Sequence, residues 1–110
     1  MMIDSFFSYF IVVILMYITV LELLRMDLNS IHLIDIRDKK RYEEGHIPGA
    51  VSIVSSELIY HAPFYLKRGE VYYLYCDYGE ISADVCRKLA MQGYRAISIV
   101  GGYKNYLLRR

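Results

Sequence analysis

The chain has 110 residues, 55% of them hydrophobic and 23% charged, with a formal net charge of +1. That length holds one domain with a real core and excludes two. The composition excludes disorder over the whole chain, and the near-neutral charge gives no electrostatic basis for nucleic-acid binding.

The first element is a compositional outlier. Residues 5–21 carry no charge, between Asp4 and Glu22. This run lies at the short edge of what spans a bilayer. No basic segment precedes it and no small-residue cleavage site follows, so a secretory signal is a poor fit. It reads as a hydrophobic N-terminal helix over residues 1–17, a membrane anchor. A core element or an extension packed on a partner chain is the bland alternative. Basic residues follow the run (Arg25, Lys39, Lys40, Arg41) and none precedes it, so an anchored domain would face the cytoplasm; otherwise the chain is soluble there. Residues 18–26 also look like the first strand and helix of a globular domain, so the span and the domain share residues.

After a turn at Leu28-Asn29-Ser30, His32-Leu33-Ile34-Asp35-Ile36 reads as a strand. Asp38 is a candidate N-cap for a short helix over residues 39–44, ended by Gly45. Pro48-Gly49 makes a tight connection into a short strand at residues 51–54. Residues 58–66 suggest a helix interrupted at Pro63. A buried strand over residues 71–75 delivers Cys76 to its end, and a polar loop with Gly79 leads to a helix over residues 82–92, opened by Ser82 and capped by Gly93. A last strand, 96–100, turns at Gly101-Gly102 into a short amphipathic end. Strands alternating with helices predict an α/β domain with a mainly parallel sheet and helices on both faces.

The Cys76 loop is the candidate site, because sites in such sheets form at the carboxyl ends of strands. Loop amides and a helix N-terminus there can face a thiolate. The bland reading of Cys76 is an inert core thiol. Cys86 fits core packing on its helix. The two cysteines form no CxxC and no histidines are paired at ligand spacing, so a zinc site is unsupported, and the pattern suits a reducing compartment.

Five stretches carry a resemblance. Leu33-Ile34-Asp35-Ile36-Arg37-Asp38, then Tyr42 through Ala50 with its Gly45-His46-Ile47-Pro48-Gly49-Ala50 run, resemble the entry half of a rhodanese domain. Cys76 with its loop, then Gln92-Gly93-Tyr94 and Gly101-Gly102, resemble the second half in order. The resemblance assigns residues 18–110 to a rhodanese-like domain. It implies a three-layer fold, with a five-stranded parallel sheet flanked by helices. It also implies sulfur transfer through a Cys76 persulfide, from a sulfane-sulfur donor such as thiosulfate or a persulfide to a thiol acceptor. Backbone amides of Asp77, Tyr78, Gly79, Glu80, Ile81 and Ser82 would hold the sulfur, and Asp35 and Arg37 would support the loops. No metal or organic cofactor is implied. His46 is read as a turn residue.

The loop departs from the family's usual Cys-Arg-x-Gly-x-Arg-Ser. Asp77 and Ile81 stand at the arginine positions, and Glu80 adds a second carboxylate. An anionic donor meets negative charge there, a cost on the order of a few kcal/mol per contact before screening. Weak thiosulfate turnover is therefore expected. Glu80 is either a solvated charge or a selector for a cationic or protein donor. A phosphatase-type loop needs an arginine fork, and no arginine lies between Cys76 and Arg87. The alternative function is a catalytically silent rhodanese-like interaction module, regulatory and tethered at the membrane.

Overall fold

The structure, a computed structural model, describes residues 16–110. The expected N-terminal hydrophobic helix, and with it most of the expected anchor, lies outside those residues. Five strands form one parallel sheet: β1 (Tyr17–Ile18), β2 (His32–Asp35), β3 (Val51–Ser52), β4 (Val71–Tyr75) and β5 (Arg95–Ile99), in the order β1-β5-β4-β2-β3. Six helices connect and flank them: α1 (Val20–Leu24), α2 (Lys39–Glu44), α3 (Ser55–Tyr60), α4 (Ala62–Tyr65), α5 (Glu80–Met91) and α6 (Gly102–Arg109).

The apolar run and the folded domain do share residues. Tyr17, assigned to the N-terminal segment on composition, lies in β1. The Ser98 amide donates to Met16 O at 2.7 Å, and the Val100 amide donates to Ile18 O at 2.8 Å. Thr19 then caps α1 in a reciprocal capping box with Glu22, and Val20 and Leu23 are buried. Residues 17–21 of the uncharged run thus belong to the folded domain. Among the described residues no helix is long and apolar enough to cross a membrane.

Period-two alternation along β4 builds the two cores. Tyr72, Leu74 and Cys76 face one side, with Leu58 of α3, Ala62 of α4 and Val85, Cys86 and Leu89 of α5. Tyr73 and Tyr75 face the other, with Val20 and Leu23 of α1 and Tyr106 of α6. Each fully buried large apolar side chain contributes about 1.5–3 kcal/mol. Cys76 thus inherits its direction from the strand that precedes it.

Local signals set most helix boundaries. Asp38 caps α2, its side chain accepting from the Arg41 amide at 2.9 Å. The expected helix over residues 58–66 is two helices. It breaks at His61, and Pro63 sits in the first turn of α4, where its missing N–H costs nothing. The strand expected at 51–54 is only Val51–Ser52.

Tyr75 ties the sheet to the connection after α2. Its hydroxyl accepts a hydrogen bond from the Ile47 amide at 3.0 Å, and both residues are fully buried. Burial pushes its phenol above the usual range, so it stays protonated. Tyr75→Phe should leave the Ile47 N–H without a partner. The expected loss is about 1–3 kcal/mol, read as a lower urea midpoint with an unchanged slope.

Candidate active site

Parallel pairing brings the carboxyl ends of β2, β4 and β5 to one edge of the sheet. Asp35, Cys76 and the Gly101 turn follow from those three ends. The link from β4 to α5 is only Cys76 to Gly79. It closes because Gly79 takes φ +110°, a left-handed conformation that favours glycine. Helix α5 therefore begins at Glu80, with Gly79 as its N-cap, two residues earlier than the expected start at Ser82.

The turn directs amides at the sulfur. Cys76 Sγ accepts from the Gly79 amide at 3.1 Å and from the Ser82 amide at 3.3 Å. Those are two of the six loop amides expected to hold it. Sγ also sits at the N-terminus of α5, where the helix dipole favours negative charge. Beneath it, Ser82 Oγ lies 3.6 Å away, donates to Gly79 O at 3.1 Å and contacts Ser98 Oγ at 2.7 Å. Ser82 is fully buried as a strut of the cradle rather than exposed as a helix cap.

The loop is held from behind by α6. The Tyr103 amide donates to Cys76 O at 2.8 Å, and the Lys104 amide to Asp77 O at 3.0 Å. This close approach requires Gly102, since a Cβ there would run into the backbone of Cys76 and Asp77.

A cleft of about 310 Å³ opens over the sulfur. Its lining includes Cys76, Asp77, Tyr78, Glu80 and Ile81 from the loop, joined by Arg37, Asp38, Arg41, Val54 and Ser55 from the two neighbouring connections. Gly79 and Ser82, also read as site residues, lie under the sulfur and not on the lining. Cys76 itself is only 3% exposed, while Tyr78, Ile81 and Val54 are exposed around the mouth.

Asp77 does not confront the sulfur as a bare charge. Its Oδ1 accepts from Arg41 Nη2 at 2.7 Å and from Arg37 Nη1 at 3.3 Å. Arg37 is nearly buried and shared. Its Nε and Nη2 bind the Asp35 carboxylate at 2.6–3.1 Å, Nη2 also reaches Gly45 O at 2.7 Å, and Tyr103 stacks on the guanidinium at 4.3 Å. Asp35 thus holds Arg37, and Arg37 in turn reaches the loop at Asp77. Glu80 makes no ion pair among the described residues. His46 stacks on Tyr42 at 3.8 Å and its Nδ1 contacts Tyr42 O, well occupied in its turn.

Sequence reasoning missed Arg41, Val54 and Ser98. Arg41 lies 36 residues from Asp77 along the chain, so no local spacing could link them. Cys86 behaves as expected of a core residue. Burial pushes its thiol up to about 12, so at neutral pH it is no nucleophile. No cluster of metal-ligating side chains occurs among the described residues.

Comparison with known proteins places this geometry. The family model described as the rhodanese-like domain matches residues 20–108. The thiosulfate sulfurtransferase GlpE of Coxiella burnetii is 30% identical over 79 residues, 71% of this chain and 73% of its own length. A Bacillus subtilis protein named as a sulfur carrier is 31% identical over 79 residues, again 71% of this chain, but the match spans only 42% of that longer protein. A crystal structure of a Staphylococcus saprophyticus protein superposes with a TM-score of 0.75 at 33% identity, covering 82% of this chain and 91% of that one. The motifs around Cys76, the five-stranded parallel sheet and these matches agree, and the chain belongs to the rhodanese-like domain family.

Proposed function

We propose that the chain is a sulfurtransferase that carries a sulfane sulfur as a persulfide on Cys76. The observation that supports this most directly is the pair of amides, from Gly79 and Ser82, within hydrogen-bonding distance of one sulfur at a helix N-terminus. Donors arranged this way favour an anion, and a thiolate is the nucleophile that sulfane transfer needs.

The Cys76 thiolate attacks the outer sulfur of a donor R–S–S⁻ or of thiosulfate. The new Cys76 S–S bond forms as the donor's S–S bond breaks, and the electron pair leaves with the thiolate or sulfite. An acceptor thiolate then attacks the outer sulfur of the persulfide, takes it, and restores the Cys76 thiolate. No metal or organic cofactor enters these steps. Ser82 and Ser98 hold the cradle's floor, and the cleft gives donor and acceptor a common approach.

Thiosulfate is proposed to be a poor donor. The usual loop arginines are absent, and Asp77 and Glu80 stand at the mouth. The exposed apolar rim of Val54, Tyr78 and Ile81 suits a donor with some apolar surface, such as a thiol persulfide. The test is a donor screen read by intact mass. The expected result is a gain of one sulfur with a low-molecular-weight persulfide, located to Cys76, and slower gain with thiosulfate. No adduct with any donor would overturn the reading and leave the silent interaction module in its place.

A further inference from the structure

We propose that Arg37 and Arg41 form an anion subsite at the mouth of the Cys76 cleft, and that the chain's own Asp77 carboxylate covers it. The ligand class is the oxyanion group of a sulfane-sulfur donor, a sulfonate or a carboxylate. The proposal deepens the sulfurtransferase reading, on which it relies only for the identity of the anion.

The geometry is that of a bound carboxylate. One oxygen, Asp77 Oδ1, receives donors from two arginines on different segments. Arg37 is fixed in place: Asp35, Gly45 O and Tyr103 occupy its other faces, and its side chain is 4% exposed. Its Nη1 is the atom turned to the cleft, and there its partner is Asp77. A nearly buried, charged donor therefore points at a position that needs an anion. Arg41 supplies the second donor from α2 with its side chain 40% exposed, within reach of an incoming ligand.

The cover is lighter than the site. The Asp77 backbone is pinned by the Lys104 amide, but its side chain is 24% exposed and can leave by rotation about its own χ angles. A donor oxyanion has to displace it, which lowers the apparent affinity for every anionic donor. The family's loop places a cation at this position. Here the chain supplies cations from outside the loop and then occupies them. Asp38 and Glu80 line the same cleft and oppose any anion. Asp38 is also spent on capping α2. Both remain in every variant compared below, so they do not generate a difference.

The test separates binding from chemistry by working in a Cys76→Ser background, in which no persulfide forms. Thermal midpoints of C76S, C76S/D77A and C76S/D77A/R41Q are measured against sodium thiosulfate and, separately, sodium acetate, with ionic strength held constant by sodium chloride. The expected result is a saturable rise for C76S/D77A, half-complete at roughly tenfold lower anion than in C76S, and lost again when Arg41 becomes Gln. A response to thiosulfate alone assigns the subsite to sulfonates, and a response to both assigns it to oxyanions generally. Should D77A fold poorly, D77N keeps the shape and a neutral acceptor, and a smaller shift of the same sign is expected. Equal responses in C76S and its Asp77 variants, or a gain that survives R41Q, would overturn the proposal. With Cys76 intact, D77A should lower KM for thiosulfate about tenfold. If Cys76 takes sulfur from no donor while C76S/D77A still binds the anion, the subsite stands and the sulfurtransferase reading falls.

Discussion

Cys76→Ser is expected to remove persulfide formation entirely, with loss of sulfur transfer to the background of the assay and little change in fold. The serine hydroxyl is close to the thiol in shape, and the amides of Gly79 and Ser82 can still donate to it. What is lost is the nucleophile. A hydroxyl is scarcely ionised near neutral pH and cannot carry a sulfane sulfur. Cys86 cannot substitute for it. That thiol is fully buried in the core and stays protonated, with its pKa pushed up to about 12. Intact mass after donor treatment should therefore show one added sulfur in the parent chain and in Cys86→Ala, and none in Cys76→Ser. An adduct retained in Cys76→Ser would place the chemistry elsewhere and sink the assignment. Cys86→Ala also separates fold from chemistry. It leaves a small cavity, for which about 1 kcal/mol of lost stability is expected, without removing the adduct.

The strand, the cysteine and the glycine were legible because each has a local cause. A run of apolar and aromatic residues from Val71 to Tyr75 reads as a buried strand, and Gly79 reads as a turn. The sequence places the helix start after it two residues late, at Ser82 rather than Glu80. Ser82 looked like a cap because serine so often caps helices, yet here a glycine with positive φ begins the helix and no side chain caps it. Ser82 is free to go under the sulfur instead. The charge of Asp77 was visible in the sequence, but its two arginine partners were not. Arg37 is 40 residues away and Arg41 is 36, so only the parallel sheet brings them to one edge. A sequence reading therefore gets the sign of the loop right and its local balance wrong. The edge of the N-terminal run is non-local in the same way: Tyr17, grouped by composition with the hydrophobic segment, pairs with Ser98 of β5.

Asp35→Ala is expected to be the most damaging single change to stability outside the large apolar core, at about 3–5 kcal/mol. Asp35 is fully buried, and its carboxylate accepts from the Arg37 amide, Nε and Nη2. Removing it strands a guanidinium in a site from which solvent is almost excluded, with Gly45 O, the Tyr103 ring and one oxygen of Asp77 left to it. Against a typical domain stability of roughly 5–15 kcal/mol, that loss approaches unfolding at 37 °C. Urea titration followed by circular dichroism should show the midpoint fall steeply, and Asp35→Asn should fall less because it keeps an acceptor. A loss near 1 kcal/mol would mean that Arg37 swings out to water when unpaired, and that the pair is not a fixed brace. The proposed anion subsite depends on the same brace. Arg37 Nη1 reaches Asp77 only while Asp35 and Gly45 O hold the other side of the fork. Any Asp35 variant that still folds should thus also weaken thiosulfate binding at the mouth, even in the Asp77→Ala background where the subsite is uncovered.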